Sequence, residues 1–166
     1  MAKPRSKKIK DSIKVRGFFR VQITEDRNGR EHIVGDSGWR KNQVVNLGFQ
    51  DYLCQTLGGM AGSKTISHVA LGTGGAPAAS DTSLAGEIMS STQRKTVSPS
   101  TVASKTLQMT AQFASANSFL TATANLSNIG LFNTSTGGTL FAGNTYTSSA
   151  CATNQNVNAT YQIRFS

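Results

Sequence analysis

From Asn156 to Phe165 the chain alternates without a break. Val157, Ala159, Tyr161, Ile163 and Phe165 fall on one side, and Asn156, Asn158, Thr160, Gln162 and Arg164 on the other. A period of two puts every second side chain on the same face of an extended strand, and a helix cannot satisfy it. One face is built to be covered and the other to stay polar, as in an antiparallel sheet covered on one side.

The pattern recurs upstream. Val15, Gly17, Phe19, Val21 and Ile23 alternate with Arg16, Phe18, Arg20, Gln22 and Thr24, and residues 105–114 turn Leu107, Met109, Ala111 and Phe113 inward. Asn28-Gly29 signals a hairpin, because a tight primed turn needs positive φ at both central residues. A return strand through His32, Ile33 and Val34 is expected to follow. Residues 66–71, 119–126 and 129–132 read as short apolar strands, and 139–146 as a strand after a Gly137-Gly138 turn.

One helix is expected. Val45, Phe49, Tyr52, Leu53 and Leu57 recur at helical spacing, Asn42 or Asn46 is placed to cap the start, and Gly58-Gly59 stops it. A turn at residues 38–42 around the only tryptophan, Trp39, precedes it. Residues 72–80 form a Gly- and Ala-rich loop, and Asp81 is placed to cap a short helical turn carrying Leu84 and Ile88. The fold class is therefore mainly β: an antiparallel β-sandwich of jelly-roll or immunoglobulin-like type with one short helix near 45–57. It fills 15–166 as a single domain, since 166 residues bury one self-sufficient core.

Residues 1–14 read differently, as an extended basic N-terminal arm. Within the first 20 residues Lys3, Arg5, Lys7, Lys8, Lys10, Lys14, Arg16 and Arg20 stand against Asp11 alone, a net +7 out of +9 for the whole chain. These eight bases are the candidate partner-binding residues. After Glu87 there is no Asp or Glu at all, so nearly half the chain is almost uncharged and rich in Thr, Ser and Asn. A solitary domain usually keeps both charge signs on its surface, so a neutral hydroxyl-rich face reads either as burial against neighbours or as a solvated polar β surface.

The residue types that do chemistry are sparse. General acid and base work recruits His, Glu or Asp, and Glu25, Asp26, Glu31, Asp36, Asp51, Asp81 and Glu87 read as turn, cap and surface residues. His32 and His68 each lie in strand-like stretches without a second ligand at metal spacing. Residues 58–65, GGMAGSKT, miss the phosphate-loop pattern because Ser63 separates Gly62 from Lys64. Cys54 and Cys151 are expected to be two buried thiols. No catalysis, metal or cofactor is therefore expected. No apolar run approaches the ~20 residues of a membrane span, and no signal-peptide pattern follows the basic start. Synthesis in a reducing cytoplasm with no membrane role is the expectation.

Three segments carry a resemblance. They are Gly38-Trp39-Arg40-Lys41-Asn42-Gln43-Val44-Val45-Asn46-Leu47-Gly48-Phe49; residues 66–74 with Ala76-Pro77 and Asp81-Thr82-Ser83-Leu84; and Ile129-Gly130-Leu131-Phe132-Asn133 with Gly137-Gly138-Thr139-Leu140-Phe141-Ala142. Their order over residues 37–166 resembles a family of phage virion proteins, tail, fibre or capsid-associated, with β-sandwich folds and no implied catalysis. Where the related pattern often has an acidic residue before Gly-Leu-Phe, this chain has Ser127-Asn128-Ile129.

The resemblance implies a virion component made in the host cytoplasm. With the arm, it leads to the expectation of a capsid-associated decoration or cement protein that contacts the major capsid protein or other virion proteins. The expected assembly is a homo-oligomer, a trimer or ring. The alternatives are a tail or tail-fibre component, with residues 72–80 touching a receptor, and a nucleic-acid-binding protein using the arm. Against the last, no aromatic residue lies between Met1 and Gly17 to stack on bases.

Overall fold

The long strand β1 (Val15–Arg27) turns at Asn28-Gly29, both at positive φ, into β2 (Arg30–Asp36). The sequence signal for this hairpin is realised as written. The computed structural model describes residues 12–88 and 94–166, which excludes 1–11, the greater part of the basic arm. Pairing begins inside the expected arm, since Lys14 N–H donates to the Ser166 carbonyl and Ser166 N–H to that of Lys14.

Arg40, Lys41 and Asn42, expected in a turn, instead open a strand, β3 (Arg40–Val44). Only Gly38, at φ 61°, turns the chain. The extended form wins because both ends of β3 find ladders: Arg40 to Asn42 pair with β1, and Gln43 and Val44 pair with β9 (Leu140–Cys151). Where β3 crosses β1, the Asn42 side chain lies over Gly17, in the space a Cβ would occupy.

The helix covers residues 48–57, π-wound over Gly48–Cys54 and α-helical over Gln55–Leu57. The i→i+5 pattern adds a residue per turn, so apolar positions spaced for an α-helix drift off the covered face. Val45 and Tyr52 are buried, but Phe49 and Leu57 are exposed, Leu57 at 88%. Cys54 is exposed as well, contrary to expectation, whereas Cys151 is buried.

The remaining strands are β4 (His68–Gly72), β5 (Lys95–Thr96), β6 (Ser98–Ala103), β7 (Thr106–Phe113), β8 (Ala124–Phe132) and β10 (Asn156–Phe165). The strands expected at 119–126 and 129–132 are one, β8, with a bulge between Leu126 and Asn128. Phe119 and Leu120 are instead buried loop residues, Phe119 with its ring 5.6 Å from that of Phe113. Asp81 starts no helix; its carboxylate accepts from Ala78 N–H at 2.8 Å and closes a turn.

The order β5-β4-β8-β9-β3-β1-β10-β7-β6, with β2 also on β1, is one antiparallel sheet folded on itself as a nearly closed, barrel-like sandwich. β3 carries it from one layer to the other. At the opposite side only Val97 separates β5, which pairs β4, from β6, which pairs β7. The expected mainly antiparallel β-sandwich with one short helix is thus observed.

Phe19, Val21, Ile23, Val157, Tyr161 and Ile163 from one layer pack against Leu126, Leu131, Phe141 and Tyr146 from the other. Phe165 closes the inward row only partly, at 38% exposure. A second cluster of Val45, Ala70, Leu84, Phe132 and Leu140 lies apart from the main core. Ile129 to Phe132 are consequently buried without alternation, which is why that stretch reads as continuously apolar.

Candidate interaction surface

The polar side chains of β1, β10 and β7 form ordered rows on the outer face of one layer. Arg16 stands opposite Arg164, and Arg164 opposite Thr106. One row further in, Lys41, Phe18, Gln162 and Gln108 follow one another across the strands. Opposed residues in an antiparallel ladder share a face, so Arg16, Lys41 and Arg164 surround Phe18. The Arg164 guanidinium sits 4.5 Å from the Phe18 ring centroid and donates to Gln162 Oε1, and Gln162 donates to Gln108 Oε1. Lys14, beside Ser166, and Lys105, whose carbonyl accepts from Phe165 N–H, stand at the same strand ends.

Of the expected partner-binding residues, this rim holds Lys14 and Arg16. Lys3, Arg5, Lys7, Lys8 and Lys10 lie outside the described residues. Arg20 is not a free contact: its guanidinium pairs with both carboxylate oxygens of Asp36 on β2. That pair, with a backbone hydrogen bond from Gly38, holds Asp36 down at about 2. Lys41 and Arg164 belong to the rim but were not expected there. The polar side of the β10 alternation marks Arg164 as outward, yet nothing in the sequence says that the first and last strands are neighbours.

Beyond the rim the same face carries Thr160, Asn158, Thr110 and Gln112, which with Gln22 and Ser98 line a shallow polar depression of about 520 Å³. This is the hydroxyl- and amide-rich face that the near-absence of charge implied.

The described carboxylates are all engaged within the fold. Glu25 meets Arg27 and Asp51 meets Lys64. Asp26 accepts from Gly29 N–H. Glu31 accepts from Thr24 and Asn158, which lowers its pKa. Glu87 forms a buried pair with Arg94. Lys64, from the loop that mimics a phosphate site, also donates to Thr139 Oγ1 at 2.6 Å. His68 shares a 2.7 Å hydrogen bond with Ser67, and burial pushes its pKa down. Among the described residues no three His, Cys, Asp or Glu come together as a metal site, and no helix is long and apolar enough to cross a membrane.

The loop after β4 is held down along its length. Asn128, fully buried, donates to the Gly75 and Ala85 carbonyls at 3.0 and 2.8 Å, and Ser127 Oγ donates to Gly74 O. Asn46 N–H reaches Ala79 O, and Leu140 N–H reaches Thr82 O. A side chain at Gly72 would collide with the Asn128 amide, so the backbone approach needs glycine there. Ser127 and Asn128 thus clamp this loop.

Comparison with protein-family models, with curated proteins and with solved structures gives no match to the chain.

Proposed function

We propose that the chain is a non-catalytic structural component of a phage particle, a capsid-associated decoration or cement protein. In this reading it lies against the acidic surface of a shell protein. The observation that carries the reading is the imbalance of paired charge. Each described carboxylate already has a partner inside the fold, whereas the cations around Phe18 have no acidic partner among the described residues. They sit where residues 1–14, a further net +5, join the sandwich. A basic rim continuous with a basic segment attracts an acidic surface and loses that attraction as salt screens it.

The test is attachment to particles. Protein lacking residues 1–12 should keep the thermal transition of the full chain and lose attachment, and added salt should release the full-length protein. Equal attachment of both proteins at all salt concentrations would dismiss the reading. A second reading has one observation in its favour: Phe18, an aromatic between Arg16, Lys41 and Arg164, is the pairing of stacking and charge that single-stranded nucleic acid uses. Its mark is salt-sensitive binding to single-stranded DNA that Phe18→Ala weakens. A tail or fibre role through residues 72–80 draws no support from a loop so closely clamped to the sandwich.

A further inference from the structure

Charge is sorted along β1. At its start lies the rim of Arg16, Lys41 and Arg164. At its end, roughly 40 Å away at ~3.3 Å per residue, the β1–β2 hairpin leaves the sandwich. Residues 24–36 hold four carboxylates, Glu25, Asp26, Glu31 and Asp36, against Arg27 and Arg30, and with Arg20 of β1 counted against its partner Asp36 the net is −1. The other described residues hold nine bases and three acids, a net +6.

The hairpin is built like a contact waiting for its partner. Every residue from position 26 to 34 is exposed, including Ile33 at 59% and Val34 at 43%. β2 pairs with β1 alone, so its far edge keeps unpaired backbone groups. Across the ribbon Asp26 faces Glu31 and Arg27 faces Arg30. Like charges directly opposite one another weaken a two-stranded ribbon that is marginal by itself. The hydrogen bonds to Glu31 from Thr24 and Asn158 both end on Oε1 and leave its charge in place.

We propose that the hairpin of one copy docks on the Arg16–Lys41–Arg164 rim of the next, head to tail, with Ile33 against Phe18. A second copy is the occupant the charges select, since the hairpin is the acidic element of the described fold and the rim its basic complement. Hairpin-to-hairpin pairing about a two-fold axis would bring like charges together. Two different surfaces on one chain make a heterologous contact, which repeats until a ring closes. The inference deepens the particle-bound reading and rests on it: the rim is taken by the next copy, and residues 1–14, net +5, are left to hold the shell.

Two variants and their mixture test it. Glu25→Lys with Ile33→Lys spoils the hairpin while keeping the Asp26 turn contact and Glu31. Arg16→Glu with Lys41→Glu spoils the rim. In sedimentation velocity at low salt the unaltered full chain should form assemblies that high salt dissolves, and each variant should be monomeric with an unchanged circular dichroism spectrum. An equimolar mixture should then stop at dimers, because each pair retains one good hairpin and one good rim. An unaltered protein that is monomeric at low salt, variants that still assemble, or a mixture that stays monomeric would each overturn the contact. Protein lacking residues 1–12 should assemble normally, so a failure of this contact is separable from a failure of shell binding.

Discussion

The guanidinium of Arg94 lies over the ring of Phe132, 3.3 Å from its centroid, while Nε and Nη2 donate to the two carboxylate oxygens of Glu87 at 2.7 and 2.9 Å. Nη1 donates to the carbonyls of Thr134 and Gly137. One side chain thus ties the residue before β5 to the end of β8 and to the Gly137-Gly138 turn. The arginine side chain is only 4% exposed and the glutamate 10%.

Removing one member of such a pair strands the other. Arg94→Met should cost about 3–5 kcal/mol because Glu87 is left buried without a cation, and adding Glu87→Met should restore most of the loss. Denaturant unfolding of the two variants beside the parent measures both. A double variant no better than the single would show that contacts other than the ion pair hold this corner.

Asn128 offers a second check. Its amide serves two carbonyls of the 73–87 loop from a fully buried position, so Asn128→Ala should destabilise the protein by about 2 kcal/mol. Hydrogen exchange should quicken in residues 73–87 more than in β10. Uniform quickening would mean that the loop is not a separately clamped unit.

The Arg20–Asp36 pair predicts a pH dependence. Hydrogen bonds from Arg20 hold the Asp36 carboxyl at about 2 against an ordinary 3.8. A depressed carboxylate pKa stabilises the fold above the unfolded value, and the contribution fades as pH falls from about 4 toward about 2. Asp36→Asn should therefore lower the unfolding midpoint at neutral pH, and the gap to the parent should close through that window. A gap that persists in strong acid would detach the effect from this ionisation.

The two thiols should differ in reactivity. Cys54 is exposed, whereas Cys151 is buried and its pKa is pushed up to about 11 by burial. A thiol reagent at neutral pH should label Cys54 promptly and Cys151 only on unfolding, because the thiolate is the reacting form. Peptide mapping of the labelled native protein reads this directly, and early label at Cys151 would contradict the buried assignment.

How much of this was legible beforehand depended on what each residue answers to. The strands of residues 15–24, 105–114 and 156–165 were readable because each has one covered face. The hairpin was readable because Asn28-Gly29 specifies its own φ values. Residues 129–132 were harder, since burial on both faces erases alternation, and the helix ran off register because π winding changes which apolar positions meet the core. Cys54 was read as buried from its residue type alone, which carries no information about which side of the helix it occupies. Of the candidate surface, Lys14 and Arg16 were found from charge density alone, whereas Lys41 entered only through β3, a strand read as a turn.

What the sequence by itself determined is local: the period of two, the turn at Asn28-Gly29, the concentration of bases near the start and the lack of carboxylates after Glu87. Those properties belong to neighbouring residues and need no knowledge of the fold. Only the tertiary structure decided that Arg16 faces Arg164, that Arg20 is neutralised by Asp36, and that Asn128 clamps a loop about fifty residues away in sequence. Strand pairing is a long-range choice, set by which faces bury together once the sheet closes on itself, and no window of sequence contains it.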